Sequence, residues 1–187
     1  MDHFNNLSLY AGKVSTVVES LSHESLKNAL DLLDRASNKG LSVFVAGNGG
    51  SAATASHFVT DLNKRNPESK LSAMSLCDNT SLMTMISNDY GFDQVFLKQL
   101  ENLAKLNSIL VVISASGNSK NLVKATEWAN QHRIKTIALT GFDGGILANI
   151  ANISLHIKTE IGAYAMAEDT HSIICHFISV TLRGEKL

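Results

Sequence analysis

The chain is short of cysteine, of proline and of net charge, and each shortage excludes something. Its only cysteines are Cys77 and Cys175. Their wide separation and the lack of any C-x-x-C leave no disulfide framework and no zinc-knuckle pattern. Both read as small core residues in a reduced, cytoplasmic setting. Basic and acidic residues nearly cancel, giving a net charge of −1, so there is no general basic field for nucleic acid. The only adjacent basic pair, Lys64-Arg65, has Glu68 close by and reads as solvated. It opens the polar stretch Lys64 to Lys70, which holds the single proline, Pro67, and is expected to be a surface loop. No apolar run approaches a membrane span. The opening MDHFNNLSLY has neither a basic n-region nor an apolar h-region, so no signal peptide is expected.

What is present is an ordinary apolar fraction over 187 residues, which suits one domain with a substantial core. Leu7 to Asn38 has the spacing of two amphipathic helices, broken at Ser22-His23-Glu24 and stopped at Lys39-Gly40. Strands are expected at Leu41 to Ala46, Leu71 to Leu76, Ser108 to Ser114, Ile134 to Thr140 and Ile153 to Ile157. Helices are expected at Ala52 to Asn63, Asn79 to Ser87, Phe92 to Leu106, from the Ser119 region to about Asn130, after Gly141 to Gly145, and from about Ala167 to Leu182. Asn88-Asp89-Tyr90-Gly91 reads as a turn. Strands alternating with helices predict an α/β fold with a parallel sheet and right-handed crossovers. The run SILVVIS is typical of a strand covered on both faces.

Two loops carry the chemistry. Strand one breaks into Gly47-Asn48-Gly49-Gly50-Ser51 and then a helix, which is a ready anion site. Strand three breaks into Ser114-Ala115-Ser116-Gly117-Asn118-Ser119 and then a helix. Hydroxyls and helix N-terminal amides suit a phosphate dianion without a lysine. In open α/β sheets ligands sit outside the carboxyl ends of strands, where both loops would lie. Serine and glycine also cap helices and turn chains. That reading would win for one such loop, but two favour phosphate binding. Neither loop is a nucleotide fingerprint, since G-x-G-x-x-G and G-K-[ST] are both missing.

Polar side chains follow. His57 and Asp61 stand at i, i+4 and share a helix face, where they could hold a metal or exchange protons. Taken alone, a satisfied helical His–Asp pair explains them better. The last helix adds Glu168, Asp169, His171 and His176. Glu168 and Asp169 also read as favourable charges in a first helical turn. His171 and His176 cannot share one narrow face, so one of them packs. Eight residues of helix separate Glu168 from His176 by roughly 12 Å. Either Glu168 precedes the regular helix, or a neighbouring subunit supplies one of the two, which would place the active site between subunits.

The segments VFVAGNGGSAATASHF, SNDYGF, ISASGNS and ALTGFDGG, in this order, resemble the sugar isomerase (SIS) domain family, and within it the sedoheptulose 7-phosphate (phosphoheptose) isomerases. The resemblance implies a single SIS domain over residues 1–187, with residues 1–40 as N-terminal helices packing on the core or on a neighbour. It implies a flavodoxin-like three-layer sandwich around a five-stranded parallel sheet, usually in a homotetramer. The implied activity is aldose–ketose conversion of sedoheptulose 7-phosphate to glycero-manno-heptose 7-phosphate, toward heptose for surface polysaccharides such as lipopolysaccharide or capsule.

By motif, the resemblance implies that Asn48, Gly49, Gly50, Asn88 and Asp89 touch substrate. Ser114, Ala115, Ser116 and Ser119 would form the phosphate loop, with Ser51 nearby. His57 and His176 match metal-binding histidines; Asp61 stands where the family usually has Glu, and Glu168 where it usually has Gln. Those two positions ligate zinc and face substrate. Asp61, Glu168 and His176 are therefore the implied catalytic residues, and Zn²⁺ the implied cofactor. Asp is shorter than Glu by about 1.5 Å, whereas Glu168 adds an anion, so the pair can compensate. Ala115 replaces a common Thr, losing one donor. The competing readings are an isomerase for another sugar phosphate, a non-catalytic SIS adaptor that binds a bacterial replication initiator, and a sugar-phosphate sensor. Sensors usually carry a further DNA-binding domain, for which this length leaves no room. The presence of Asp61, Glu168 and His176 together favours catalysis.

Overall fold

A computed structural model of the chain describes residues 3–64 and 71–185. The loop expected at Lys64 to Lys70 lies, apart from Lys64, outside the described residues. Two helices, α1 (His3–Glu19) and α2 (His23–Lys39), precede β1 (Ser42–Gly47), α3 (Gly50–Asn63) and β2 (Ser72–Ser75). Then come α4 (Thr80–Tyr90), a 3-10 turn at Phe92–Gln94, α5 (Leu97–Leu103), β3 (Ile109–Ser114) and α6 (Lys120–Gln131). The chain ends in β4 (Lys135–Thr140), α7 (Gly145–Ile150), β5 (Ile153–His156) and α8 (Tyr164–Leu182).

Local chemistry sets the boundaries. Ser22 caps α2 by accepting from the Ser25 amide, and Gly40 closes it in the left-handed conformation at φ 66°. Asn79 caps α4 through the Leu82 amide. The turn expected at residues 88–91 is instead the last turn of α4. Leu82, Met83 and Ile86 keep that helix seated on the core, and only Gly91, at φ 93°, ends it. The helix expected over residues 92–106 divides into the 3-10 turn and α5.

All strand pairs are parallel, in the order β2-β1-β3-β4-β5, with Val43 opposite Ile109 and Ile109 opposite Lys135. This is the flavodoxin-like order, whose switch point lies between β1 and β3. Alternation along each strand feeds two cores. Val43, Val45, Ile109, Val111 and Ile113 pack with residues of α2, α3 and α8. Phe44, Ala46, Leu110 and Val112 pack with residues of α4, α5, α6 and α7. Both faces of the sheet are therefore covered, which explains its continuous apolar runs. The glycine and serine loops leave adjacent strands at the switch point.

Candidate active site

The serine loop, residues 114–119, is built to present donors. The Ser114 hydroxyl accepts from the Gly117 amide at 3.1 Å, and the Ser116 hydroxyl from the Asn118 amide at 3.3 Å. A hydroxyl that accepts an amide keeps its own proton to donate. Ser119 sits at the N-cap of α6 but makes no side-chain cap bond, so its hydroxyl is not consumed by the helix. Local turn bonds thus use Ser114 and Ser116 only as acceptors, and capping does not account for Ser119. Gly117 takes φ 64°, and a Cβ there would collide with the Gly144 carbonyl. The Leu147 amide donates to the Gly117 carbonyl and the Ile146 amide to Asn118 Oδ1. The Gly141 amide also donates to the Ala115 carbonyl, so the second glycine motif, residues 141–145, and the start of α7 together brace the serine loop.

A cavity of about 160 Å³ opens above this loop, lined by Asn48, Ser51, the serines and Ala115, and also by Tyr164 and Glu168. Gly50 lets Glu168 approach: a Cβ on Gly50 would meet the Glu168 carboxylate. That carboxylate lies at the N-terminal turn of α3, where helix amides favour an anion. Ser51 and Ser114 are buried, and Glu168 is half-buried.

A second constellation lies further along α3 and α8. Asp61 Oδ2 is 3.7 Å from His57 Nε2 and 3.6 Å from His176 Nε2. One donor atom from each of the three residues falls within 4.8 Å of the others. A tetrahedral ion with bonds of roughly 2.0–2.1 Å spaces its ligands by about 3.4 Å, close to the two Asp61–histidine distances, so the donor types and the Asp61 spacings suit such an ion. The His57 and His176 rings meet edge to face, with centroids 4.8 Å apart. Both side chains are about half exposed (58% and 49%), whereas Asp61 is buried. Lys64 Nζ approaches the other oxygen, Asp61 Oδ1, at 3.8 Å. Arg183 donates to the Asp61 carbonyl, tying the end of α3 to the end of α8.

The two constellations are not one site within a single chain. Gly50 and Asp61 are eleven residues apart on α3, roughly 16 Å of helix. Glu168 lies inside α8, which begins at Tyr164, so it neither precedes the regular helix nor belongs to its first turn. It is not in the His57–Asp61–His176 group.

A family profile for the SIS domain matches residues 9–141. The chain is 38% identical to the phosphoheptose isomerase of Helicobacter pylori over 163 residues, 86% of this chain and 83% of that protein. It is 43% identical to a probable phosphoheptose isomerase of Thermoplasma volcanium over 143 residues, 75% of this chain and 72% of that one. The chain belongs to the SIS-domain family, among its phosphoheptose isomerases. The solved phosphoheptose isomerase of Neisseria gonorrhoeae is 30% identical, covers 98% of this chain and 100% of its own, and superposes with a TM-score of 0.88.

Within this phosphoheptose isomerase fold, the remaining candidates sort clearly. Asn88 and Asp89 are exposed on α4, bonded to each other at 2.8 Å, and do not line the serine cavity. Gly49 is exposed beside Gly50. His171 is the packing histidine. It is fully buried and neither ring nitrogen has a hydrogen-bond partner. Burial pushes its pKa down to about 4; the nearby Thr140 carbonyl works against this and His156 reinforces it. Cys175 is core, and burial beside Asp61 pushes its thiol up. Asp169, the other acid of α8, accepts from the Tyr10 hydroxyl at 2.7 Å and so pins α1 to α8.

Sequence reasoning missed Tyr164, whose ring stacks edge-on against Phe142 at the cavity wall. It also missed Asn121, buried behind Asn48. The i, i+3 spacing of Asp61 and Lys64 could have flagged Lys64. No sequence signal joins Asn48 to Asn121.

Proposed function

We propose that this chain interconverts sedoheptulose 7-phosphate and D-glycero-D-manno-heptose 7-phosphate through an enediol(ate), supplying heptose for surface polysaccharides. One observation carries the reading. The serine loop leaves hydroxyl protons free toward a cavity that also holds the Glu168 carboxylate. A phosphate cradle next to a carboxylate is what a sugar-phosphate isomerase needs, and a mere adaptor does not. Family membership alone would not separate those two.

Ser114, Ser116 and Ser119 anchor the phosphate, and that remote binding energy orients the reacting end of the sugar. Asn48, Gly49, Gly50 and Ser51 grip the polyol, together with Asn88 and Asp89. Asp61 or Glu168 takes the C1 proton of the ketose and returns a proton to C2, while His176 moves protons between the two oxygens. His57, Asp61 and His176, with Glu168, would hold a divalent ion, Zn²⁺ by its nitrogen and carboxylate donors. Such an ion supplies polarisation of the substrate carbonyl.

Because Glu168 and the histidine cluster stand apart in one chain, the complete site forms between subunits of a homo-oligomer, a homotetramer in this reading. Exposed Phe4, Leu7 and Leu9 on α1 and exposed Ile173 on α8 support such association. No described helix is long and apolar enough to cross a membrane. Cys77 and Cys175 are both free thiols, which supports a cytoplasmic setting. Incubation with sedoheptulose 7-phosphate, followed by NMR, should show the aldoheptose phosphate. No turnover with or without Zn²⁺ overturns the proposal.

A further inference from the structure

Asn48 and Asn121 form a reciprocal amide pair across the switch point. Asn48 Nδ2 donates to Asn121 Oδ1 and Asn121 Nδ2 donates to Asn48 Oδ1, each at 2.9 Å. The first residue belongs to the loop after β1, the second to the first turn of α6. Asn121 is buried (3% exposed) and does not line the serine cavity, whereas Asn48 does.

We infer that Asn121 is a positioning residue, which sets the orientation of Asn48 toward the sugar and fixes the glycine loop relative to the phosphate loop. The direction of control follows from donor chemistry. The Leu122 backbone amide is shared between the Ser119 carbonyl and Asn121 Oδ1, each at 3.0 Å. A backbone amide can only donate, so it dictates which end of the Asn121 amide is oxygen. That end accepts from Asn48 Nδ2, and the orientation of Asn48 is then fixed as well. Each amide of the pair spends one N–H and one lone pair on the other. Asn48 keeps one donor and one acceptor for the cavity, a combination suited to a sugar hydroxyl, which can both accept and donate. The phosphate contacts are separate, since they come from the serine loop.

The inference rests on the sugar-phosphate reading, and its test separates the two. Asn48→Ala, Asn121→Ala and the double variant are assayed with sedoheptulose 7-phosphate, and each is titrated calorimetrically with the same sugar and with inorganic phosphate. Each single substitution should lower kcat/KM about 10- to 100-fold, mostly through KM, as expected for one or two hydrogen bonds. The double variant should fall no further than the weaker single variant, because both remove one arrangement. Inorganic phosphate affinity should stay within about twofold of wild type, reflecting an untouched serine loop. A merely structural role would instead lower the melting temperature, weaken phosphate as well, and add in the double variant.

Asn121→Asp guards against a folding failure. It keeps both accepted bonds but sets a carboxylate oxygen against Asn48 Oδ1 in place of the donor, so it should turn Asn48 away and lose kcat/KM, and circular dichroism with the melting temperature of each variant establishes that it is folded. Wild-type kcat/KM in a folded Asn121 variant, or additive losses, would overturn the inference. If the wild type binds the sugar phosphate without turning it over, the isomerase reading fails, and the calorimetric cycle still decides the role of Asn121.

Discussion

Around the serine loop, polarity comes from hydroxyls and backbone amides held at or below the surface and braced by a second turn. Along the α3–α8 seam it comes from two half-exposed imidazoles and one buried carboxylate. The first region is complete in one chain, because its donors are set by local backbone geometry that a strand end and a helix start provide together. The second presents three ligand atoms, two of them on half-exposed rings. A cradle for a constant group, phosphate, can be rigid and self-contained. A group that must exchange protons with substrate can be assembled from two copies, and the distance along α8 from Glu168 to His176 requires such an arrangement if all four residues act together.

The sharpest break in this comparison is at Asp61. Asp61→Ala removes the one oxygen that faces both histidines and should lower kcat by about 10³-fold or more, the upper range for acid–base groups. Metal analysis of the purified variant should show loss of bound Zn²⁺, while calorimetry still detects inorganic phosphate. Loss of phosphate binding in this variant would show that the two regions are not separate.

Next in size is a complementation experiment. His176→Ala and Glu168→Ala should each be nearly inactive alone. Mixed, dissociated and reassembled, they should regain activity that neither has, because some sites then receive an intact Glu168 from one chain and an intact His176 from another. Unchanged inactivity after verified subunit exchange would place both residues in the same chain's site.

On the cradle side, Ser116→Ala removes one of the proposed phosphate donors and should raise KM about tenfold, equivalent to about 1.4 kcal/mol, with a smaller change in kcat. Steady-state kinetics would expose the opposite pattern, a fall in kcat at constant KM, which would move Ser116 from anchoring to chemistry.

The smallest effect on activity is expected at His171, which lies in neither region. Below about pH 6.5 the unfolded chain binds a proton at this imidazole that the folded chain refuses until about pH 4. Its contribution to stability is therefore full above the unfolded value, declines as pH falls through that window, and levels off below it. The full difference is roughly 3 kcal/mol. His171→Leu should keep wild-type kcat and lose less stability than wild type between pH 6.5 and 4, as read by denaturant titration at each pH. Equal acid sensitivity in the two proteins would mean that His171 is hydrated or partnered in solution.

Much of this was legible in the chain. Alternation of apolar runs with amphipathic segments placed the five strands to within a residue or two, since a strand buried on both faces has no freedom in composition. The glycine and serine loops were visible because close backbone approach and hydroxyl donors demand those residue types. Spacing also paired His57 with Asp61, for helical neighbours are a local matter. The turn expected at residues 88–91 failed because seating of Leu82, Met83 and Ile86 on the core outweighed the local turn preference of Asn and Asp.

By itself, then, the sequence determined the layered parallel fold, the two strand-end loops and the kinds of group that face them. Only the tertiary structure decided that His176 joins His57 and Asp61 while Glu168 joins the serines, that His171 is packed away, and that Asn121 bonds to Asn48. Those are contacts between elements distant in the chain. They depend on how α3 and α8 align on one face of the sheet and on which strands neighbour each other at the switch point, and no local period encodes either.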